Sequence, residues 1–347
     1  MSAIEPKLSP KSNSGSQDYI NHRREKNTYK GIFWIALSMV TLFLNFLPNN
    51  LIDPFSYDQT TKSSVIIPKK KLRGRDIEYN SKLASRFQSV DAIIYHIRKH
   101  VPDSLAKLEQ FELLTKLIRQ RFIHAYSVYG MQENWIAVLA GRLIWKDLSA
   151  KVIPDDILKG DAAACSQVSI IMMDACRKLG IPTRKVGLKG HYALEALING
   201  NWYYTDANLK PDFNAIKGRK SLKEIIKNKE QFKLYANTVL DSEEVADKFS
   251  IIEYGSPDSN PAPRAHFFQA ITKELSHWGW LIPLAVGIFF LRKRNTKDTN
   301  KRIFEPQFLQ QFQATALCLC VLQHCVLPNR WLSPLTKQQQ KASITRI

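Results

Sequence analysis

The stretch GDAAACSQVSIIMMDACRKLGIPTRKVGLKGHYALEALINGNWYYTDAN, residues 160–208, decides the fold. Its first half predicts a helix over about 165–179. Val168, Ile171 or Met172, Ala175 and Leu179 recur at three- and four-residue spacing and supply a buried face. Gly180 suits the C-terminal cap, and Pro182 forbids continuation. Its second half predicts two strands, roughly 191–198 and 201–206. Asn199-Gly200 between them is a strong two-residue hairpin signal. A further helix is expected over 221–229.

The turn fixes which side chains meet. With Asn199 and Gly200 as the two turn residues, Ile198 pairs with Asn201, and Asp206 falls opposite Ala193. The Asp206 side chain then shares a face with His191, one diagonal step away. Such diagonal neighbours are about 7–8 Å apart between backbones, within reach of a histidine–carboxylate hydrogen bond. A loop one residue longer would turn Asp206 to the other face. Cys165 stands at the predicted helix start, where unpaired N–H groups and the helix dipole favour a thiolate. These placements suggest a division of labour. Cys165 is the nucleophile, His191 the general acid and base, and Asp206 the carboxylate that orients and stabilises the imidazolium. The Cys165 N–H is the natural oxyanion donor. Each residue alone reads as ordinary: a buried small thiol, a strand histidine, a turn aspartate. Their joint order carries the functional reading.

These residues resemble the core of the transglutaminase-like superfamily. The resemblance rests on Cys165 at a helix start and on the turn Gly180-Ile181-Pro182-Thr183-Arg184. It rests further on His191 with Glu195 on one strand, Gly200-Asn201-Trp202, and Asp206 ending the next strand. Ala164 precedes the nucleophile where members often have glycine. The resemblance implies a papain-like α+β core and a Cys-His-Asp triad for acyl transfer from amides, with no cofactor and no metal. The superfamily includes peptidases, deglycosylating amidases, cross-linkers and members without activity, so the likeness does not choose a substrate. The side-chain oxyanion donor is not marked; Gln132, Asn134 and Trp135 are candidates.

Working outward, residues 81–100 read as one helix, with Leu83, Phe87, Val90, Ile94 and Ile97 on its apolar face. A second helix is expected to start at Pro102-Asp103, and a third over 135–145. No repeat at periods of 20–50 residues is present. The expected layout is a disordered cytoplasmic tail (1–30), a transmembrane helix (31–52), a linker (53–80) and the transglutaminase-like domain (81–274). A second transmembrane helix (275–291) and a basic cytoplasmic tail (292–347) follow.

The two spans come from charge and hydropathy. No charged residue occurs from 31 to 52 or from 275 to 291, and each run approaches the ~20 residues a bilayer-crossing helix needs. Trp278 and Trp280 sit at the edge of the second run, where interfacial aromatics belong. Eleven basic residues flank the outer ends of the two runs, and three flank the segment between them. The positive-inside rule then puts both termini in the cytoplasm and residues 53–274 outside. No small-x-small cleavage site follows the first run, which predicts an uncleaved anchor.

The 347 residues carry a net charge of +19, which invites a nucleic-acid reading. Residues 1–30 hold +3, residues 292–347 hold +8 and the middle holds +8. More than half of the excess therefore lies in tails beside anionic lipid, and no nucleic-acid partner is expected. The run PKKKLRGR (68–75) suits a linker against headgroups or an envelope polyanion. Five cysteines are too few for a disulfide scaffold. Cys165 and Cys176, on one helix, are ~16 Å apart along its axis and cannot bridge. His96 and His100 lack an evident third metal ligand. Cys318, Cys320, His324 and Cys325 cluster in the C-terminal tail, where they can take a metal or, for the cysteines, lipid.

The expected function is thus a membrane-anchored cysteine acyl-transfer enzyme of the plasma membrane. It would hydrolyse or transamidate peptide or side-chain amides of a peptide or protein in the cell envelope. The alternative is a catalytically silent member of the same fold that assists envelope polymer export or processing.

Overall fold

The computed structural model describes residues 14–49, 51–52, 79–102, 107–207, 221–228, 230, 232 and 246–295. The expectations for the linker run 68–75 and the cluster at Cys318, Cys320, His324 and Cys325 lie outside the described residues.

Helix α1 spans Ser14–Leu44. It starts well inside the tail expected to be disordered. Once the apolar segment is helical, extending it backwards adds one hydrogen bond per residue fixed, with no new nucleus to form. The helix expected over 81–100 is two, α2 (Ser81–Arg86) and α3 (Val90–His100). Asn80 caps the first by accepting the Lys82 and Leu83 N–H groups, and Ser89 caps the second by accepting Ala92 N–H. The buried Arg121 guanidinium takes the freed Phe87 carbonyl between them. The apolar spacing runs through the break unchanged, so periodicity alone could not reveal it.

Helix α4 spans Lys107–Arg121 and α5 spans Met131–Leu143. The short α6 (Pro154–Leu158) precedes α7 (Cys165–Lys178). The sheet follows: β1 (Thr183–Leu188), β2 (His191–Ile198) and β3 (Asn201–Thr205). Then come α8 (Leu222–Lys227), β4 (Ile252–Tyr254), α9 (Pro263–Trp278) and α10 (Leu281–Asn295).

The four strands form one antiparallel sheet in the order β3-β2-β1-β4. The sequence predicts only β2 and β3. In β1 the run TRKVGL hides its alternation behind Arg184, Lys185 and Gly187, and β4 is only three residues long. The predicted register holds: Ile198 pairs with Asn201 and Leu194 with Thr205. Asn199 and Gly200 both have positive φ, 51° and 78°, as a type I′ turn requires.

Helix α7 lies against one face of the sheet. Its Val168, Ile171, Met172 and Ala175 share a buried cluster with Leu194, Ala196 and Ile198 of β2 and with residues of α3 and α4. Each large side chain so buried contributes roughly 1.5–3 kcal/mol. The other face is covered by Leu222 and Ile225 of α8 and by Phe249, packed on Val186, Leu188, Ala193 and Tyr204. Gly180, at φ 70°, ends the α7 turn as expected.

Among the described residues one helix is long and apolar enough to cross a membrane, the 25–44 part of α1 near the N-terminus. The second apolar run is not one straight helix. Helices α9 and α10 meet at a bend of 48°. Pro283 explains it: the ring has no N–H for the carbonyl four residues back, at Gly279, and would collide with it. Helices α1 and α10 run antiparallel in close contact. A Cβ on Gly31 would come within 2.7 Å of Leu291, and one on Gly287 within 2.7 Å of Ile35. Ser38 Oγ donates to the Trp280 carbonyl at 2.8 Å.

Candidate active site

Cys165, His191 and Asp206 arrive from three elements. Cys165 is the first residue of α7, His191 the first of β2, and Asp206 follows the last residue of β3. His191 and Asp206 are buried, whereas Cys165 is partly exposed. His191 Nε2 lies 2.7 Å from Asp206 Oδ2. With Nε2–H donating to the carboxylate, Nδ1 is the ring nitrogen left for the sulfur. The His191 side chain acts on the Cys165 thiol as a hydrogen-bond and charge partner, and the Tyr192 backbone acts on the same sulfur.

The electrostatics follow from this contact. Burial alone would lower the His191 pKa. The Asp206 charge, its hydrogen bond and the neighbouring sulfur outweigh burial and raise it. Burial alone would raise the Cys165 pKa. The hydrogen bond and charge of His191, with the Tyr192 N–H, outweigh it and lower it, against a smaller opposing push from Asp206. Both shifts favour a thiolate–imidazolium pair. The second thiol behaves oppositely: Cys176 is fully buried and burial pushes its pKa up.

No protein-family model, curated protein or solved structure matches this chain.

Two supports were not foreseen in the sequence. The first is Gln167, buried in the first turn of α7. Its Oε1 accepts N–H groups from Ala164 (3.0 Å) and Ser127 (2.8 Å). Its Nε2 donates to the carbonyls of Ser127 (2.7 Å) and Lys151 (2.8 Å). One amide thus satisfies four backbone groups and pins the loop before Cys165 to two neighbouring segments. A glutamine two residues after the cysteine, at the N3 position, was the available signal. The second is Tyr204, whose hydroxyl donates to Asp206 Oδ2 at 3.1 Å. Its place two residues before Asp206, on the same strand face, was the signal.

Glu195, Arg184 and Trp202 acquire a structural role. Arg184 and Glu195 are direct cross-strand partners. Arg184 Nε and one terminal nitrogen reach Glu195 Oε2 at 2.9 and 2.6 Å, while Oε1 accepts Leu222 N–H at 2.7 Å. The guanidinium lies between the rings of Trp202 and Tyr254, 4.0 and 4.2 Å from their centroids. This fully paired carboxylate locks α8 onto the hairpin.

Two of the oxyanion candidates are occupied elsewhere. The Asn134 amide bonds Thr272 and Ser276, and Trp135 Nε1 donates to the Ser276 carbonyl, both on α9. Gln132 is exposed, with its backbone N–H bonded to Asn49. The α7 N-terminus remains the donor set nearest the sulfur. The His96 and His100 rings lie 4.1 Å apart, and His100 Nδ1 contacts the His96 carbonyl. No group of three or more metal-ligating side chains occurs among the described residues.

Proposed function

We propose that this chain is a membrane-anchored cysteine acyl-transfer enzyme of the transglutaminase-like, papain-like type, acting on amide bonds outside the cytoplasm. The observation that carries this reading is the continuous contact from the Cys165 thiol through the His191 ring to the Asp206 carboxylate. The thiolate attacks an amide carbonyl carbon and forms a C–S bond. The oxyanion is held by N–H groups at the α7 start. The His191 imidazolium gives its proton to the leaving nitrogen as the C–N bond breaks, leaving a thioester. Water then attacks with neutral His191 accepting its proton, and the thiolate is released. An amine in place of water would complete a transamidation.

The antiparallel contact of α1 with α10 supports a two-span anchor with both termini on the cytoplasmic side, as the basic flanks require. The test is labelling of the full chain with a thiol-reactive acyl-amide probe. Labelling that is lost in Cys165→Ala and reduced in His191→Gln supports the reading. Equal labelling in all three proteins contradicts it and favours a silent binding protein of the same fold.

A further inference from the structure

One row of the sheet holds a carboxylate that the catalytic reading does not use. Tyr192 of β2, Gly187 of β1 and Glu253 of β4 are direct partners across three neighbouring strands. Residues so paired share one face of the sheet. Leu194, Ala196 and Ile198 follow Tyr192 at two-residue spacing and pack with α7, so this is the α7 face. The chain passes from the end of α7 into β1 at Thr183, opposite Ala196. Cys165, at the other end of α7, therefore lies at the Tyr192 end of the sheet.

Nothing in the backbone requires glycine at 187. Its φ is not positive. The ladder runs through it without a bulge on either side. A Cβ there would meet its nearest neighbour, Glu253 Cβ, at 3.6 Å, an ordinary contact. Glycine inside a strand weakens it; with no bulge to explain it, the missing side chain marks a close approach. The group that approaches is the Glu253 carboxylate, whose Oε2 lies 3.9 Å from where that Cβ would stand. Gly187 is buried and Glu253 exposed, so the carboxylate lies inward from the edge strand, over the glycine.

Among the described residues this carboxylate has no ion pair. Lys185, two residues along β1 on the same face, holds its ammonium over the Tyr192 ring instead, with Nζ 5.0 Å from the centroid. A negative charge thus faces the Tyr192 end of the sheet without a cation of its own.

We infer that Glu253, laid over Gly187 beside Tyr192, is a specificity-determining residue that receives an ammonium or guanidinium group of the acyl donor, one or two residues from the amide Cys165 attacks. This rests on the acyl-transfer reading above. Two strand spacings, ~10 Å, separate Tyr192 from Glu253, a span that one extended residue and a lysine side chain cover together. The favoured donors are peptides with lysine or arginine beside the scissile bond.

The test measures second-order inactivation of the full chain by peptidyl acyloxymethyl ketones. The probes carry either lysine or norleucine at one of the two residues next to the ketone. They contain no acyl acceptor, so any preference is one for the donor. At one of the two positions the lysine probe should react about three- to fivefold faster, the range of an exposed ion pair. That preference runs against the repulsion of a chain with a net charge of +19. The ratio should fall towards one in Glu253→Gln, and also in Gly187→Val, whose side chain would displace the carboxylate. A wild-type ratio near one at both positions overturns the inference, as does a ratio that survives in either variant. Norleucine-probe inactivation that is lost in Cys165→Ala upholds the acyl-transfer reading whichever way the ratio falls. No Cys165-dependent inactivation by any probe defeats that reading, and this inference with it.

Discussion

At the residue scale the chemistry turns on one carboxylate oxygen. Asp206 Oδ2 takes both the His191 Nε2–H, at 2.7 Å, and the Tyr204 hydroxyl, at 3.1 Å. The tyrosine shares negative charge that would otherwise act on the imidazolium. Tyr204→Phe should therefore raise the His191 pKa further and lower that of Cys165. The shift should be about half to one pH unit, given the strength of a hydrogen bond to a charged group. The check is the pH profile of Cys165 alkylation. A thiolate persisting to lower pH in the variant is expected, and a purely structural tyrosine would give a slower reaction with an unmoved profile. Cys165, His191 and Asp206 were legible in the sequence because hairpin parity is rigid: with a two-residue turn, the face of Asp206 has no freedom. Tyr204 obeys the same parity but has no chemical signature of its own, which is why it emerges only with the contact.

At the element scale two devices hold the site. The hairpin turn needs positive φ at Asn199 and Gly200. Proline at 199 would fix φ near −65° and break the register. Asn199→Pro should abolish Cys165-dependent labelling while membrane insertion persists; full labelling would contradict the register account. Gln167 is the second device. Gln167→Leu would remove the side-chain partner of the Ala164 and Ser127 N–H groups and of the Lys151 carbonyl, at roughly 1–3 kcal/mol each where water cannot reach, while the Ser127 carbonyl keeps the Lys151 N–H. A fall in thermal midpoint with loss of thiol reactivity is expected, and an unchanged midpoint would show that the loop is held by other contacts. Sequence patterning found α7 and the hairpin because capping and turn residues mark their ends. It merged α2 with α3 because the apolar stripe crosses the break. It missed β1 and β4 because a charged run with a central glycine and a three-residue strand carry too little alternation.

At the scale of the whole molecule, Asp156 ties the domain to α9. It accepts Lys273 at 2.7 and 2.9 Å, Tyr129 at 2.8 Å and Lys159 at 3.0 Å. Burial would raise its pKa, but the bonds from Lys273, Tyr129 and Lys159 outweigh burial and lower it. A carboxyl depressed on folding contributes stability above its unfolded pKa of about 3.9. That contribution disappears as the pH falls through the lower, folded value. Acid should therefore loosen α9 from the domain in the wild type below about pH 4. Asp156→Asn should already be loosened at neutral pH, as read by proteolysis of reconstituted protein. Equal protection of the two proteins at neutral pH would show that the Lys273 contact adds no stability. The arrangement of the apolar helices was only partly legible. Hydropathy located both apolar runs, but it does not encode the 48° bend that Pro283 imposes or the close contact of Gly31 and Gly287 with the facing helices.

The most direct measurement is the rate of Cys165 carboxamidomethylation against pH, followed by mass spectrometry of the Cys165 peptide in the full chain. With the thiol and imidazole acting as one ion pair, wild-type reactivity should rise well below the ordinary thiol pKa of about 8.5. In His191→Gln the rise should move to that value or above. A single rise near the ordinary thiol pKa, identical in both proteins, would mean that sulfur and ring do not share a proton, and the proposed catalyst would be wrong.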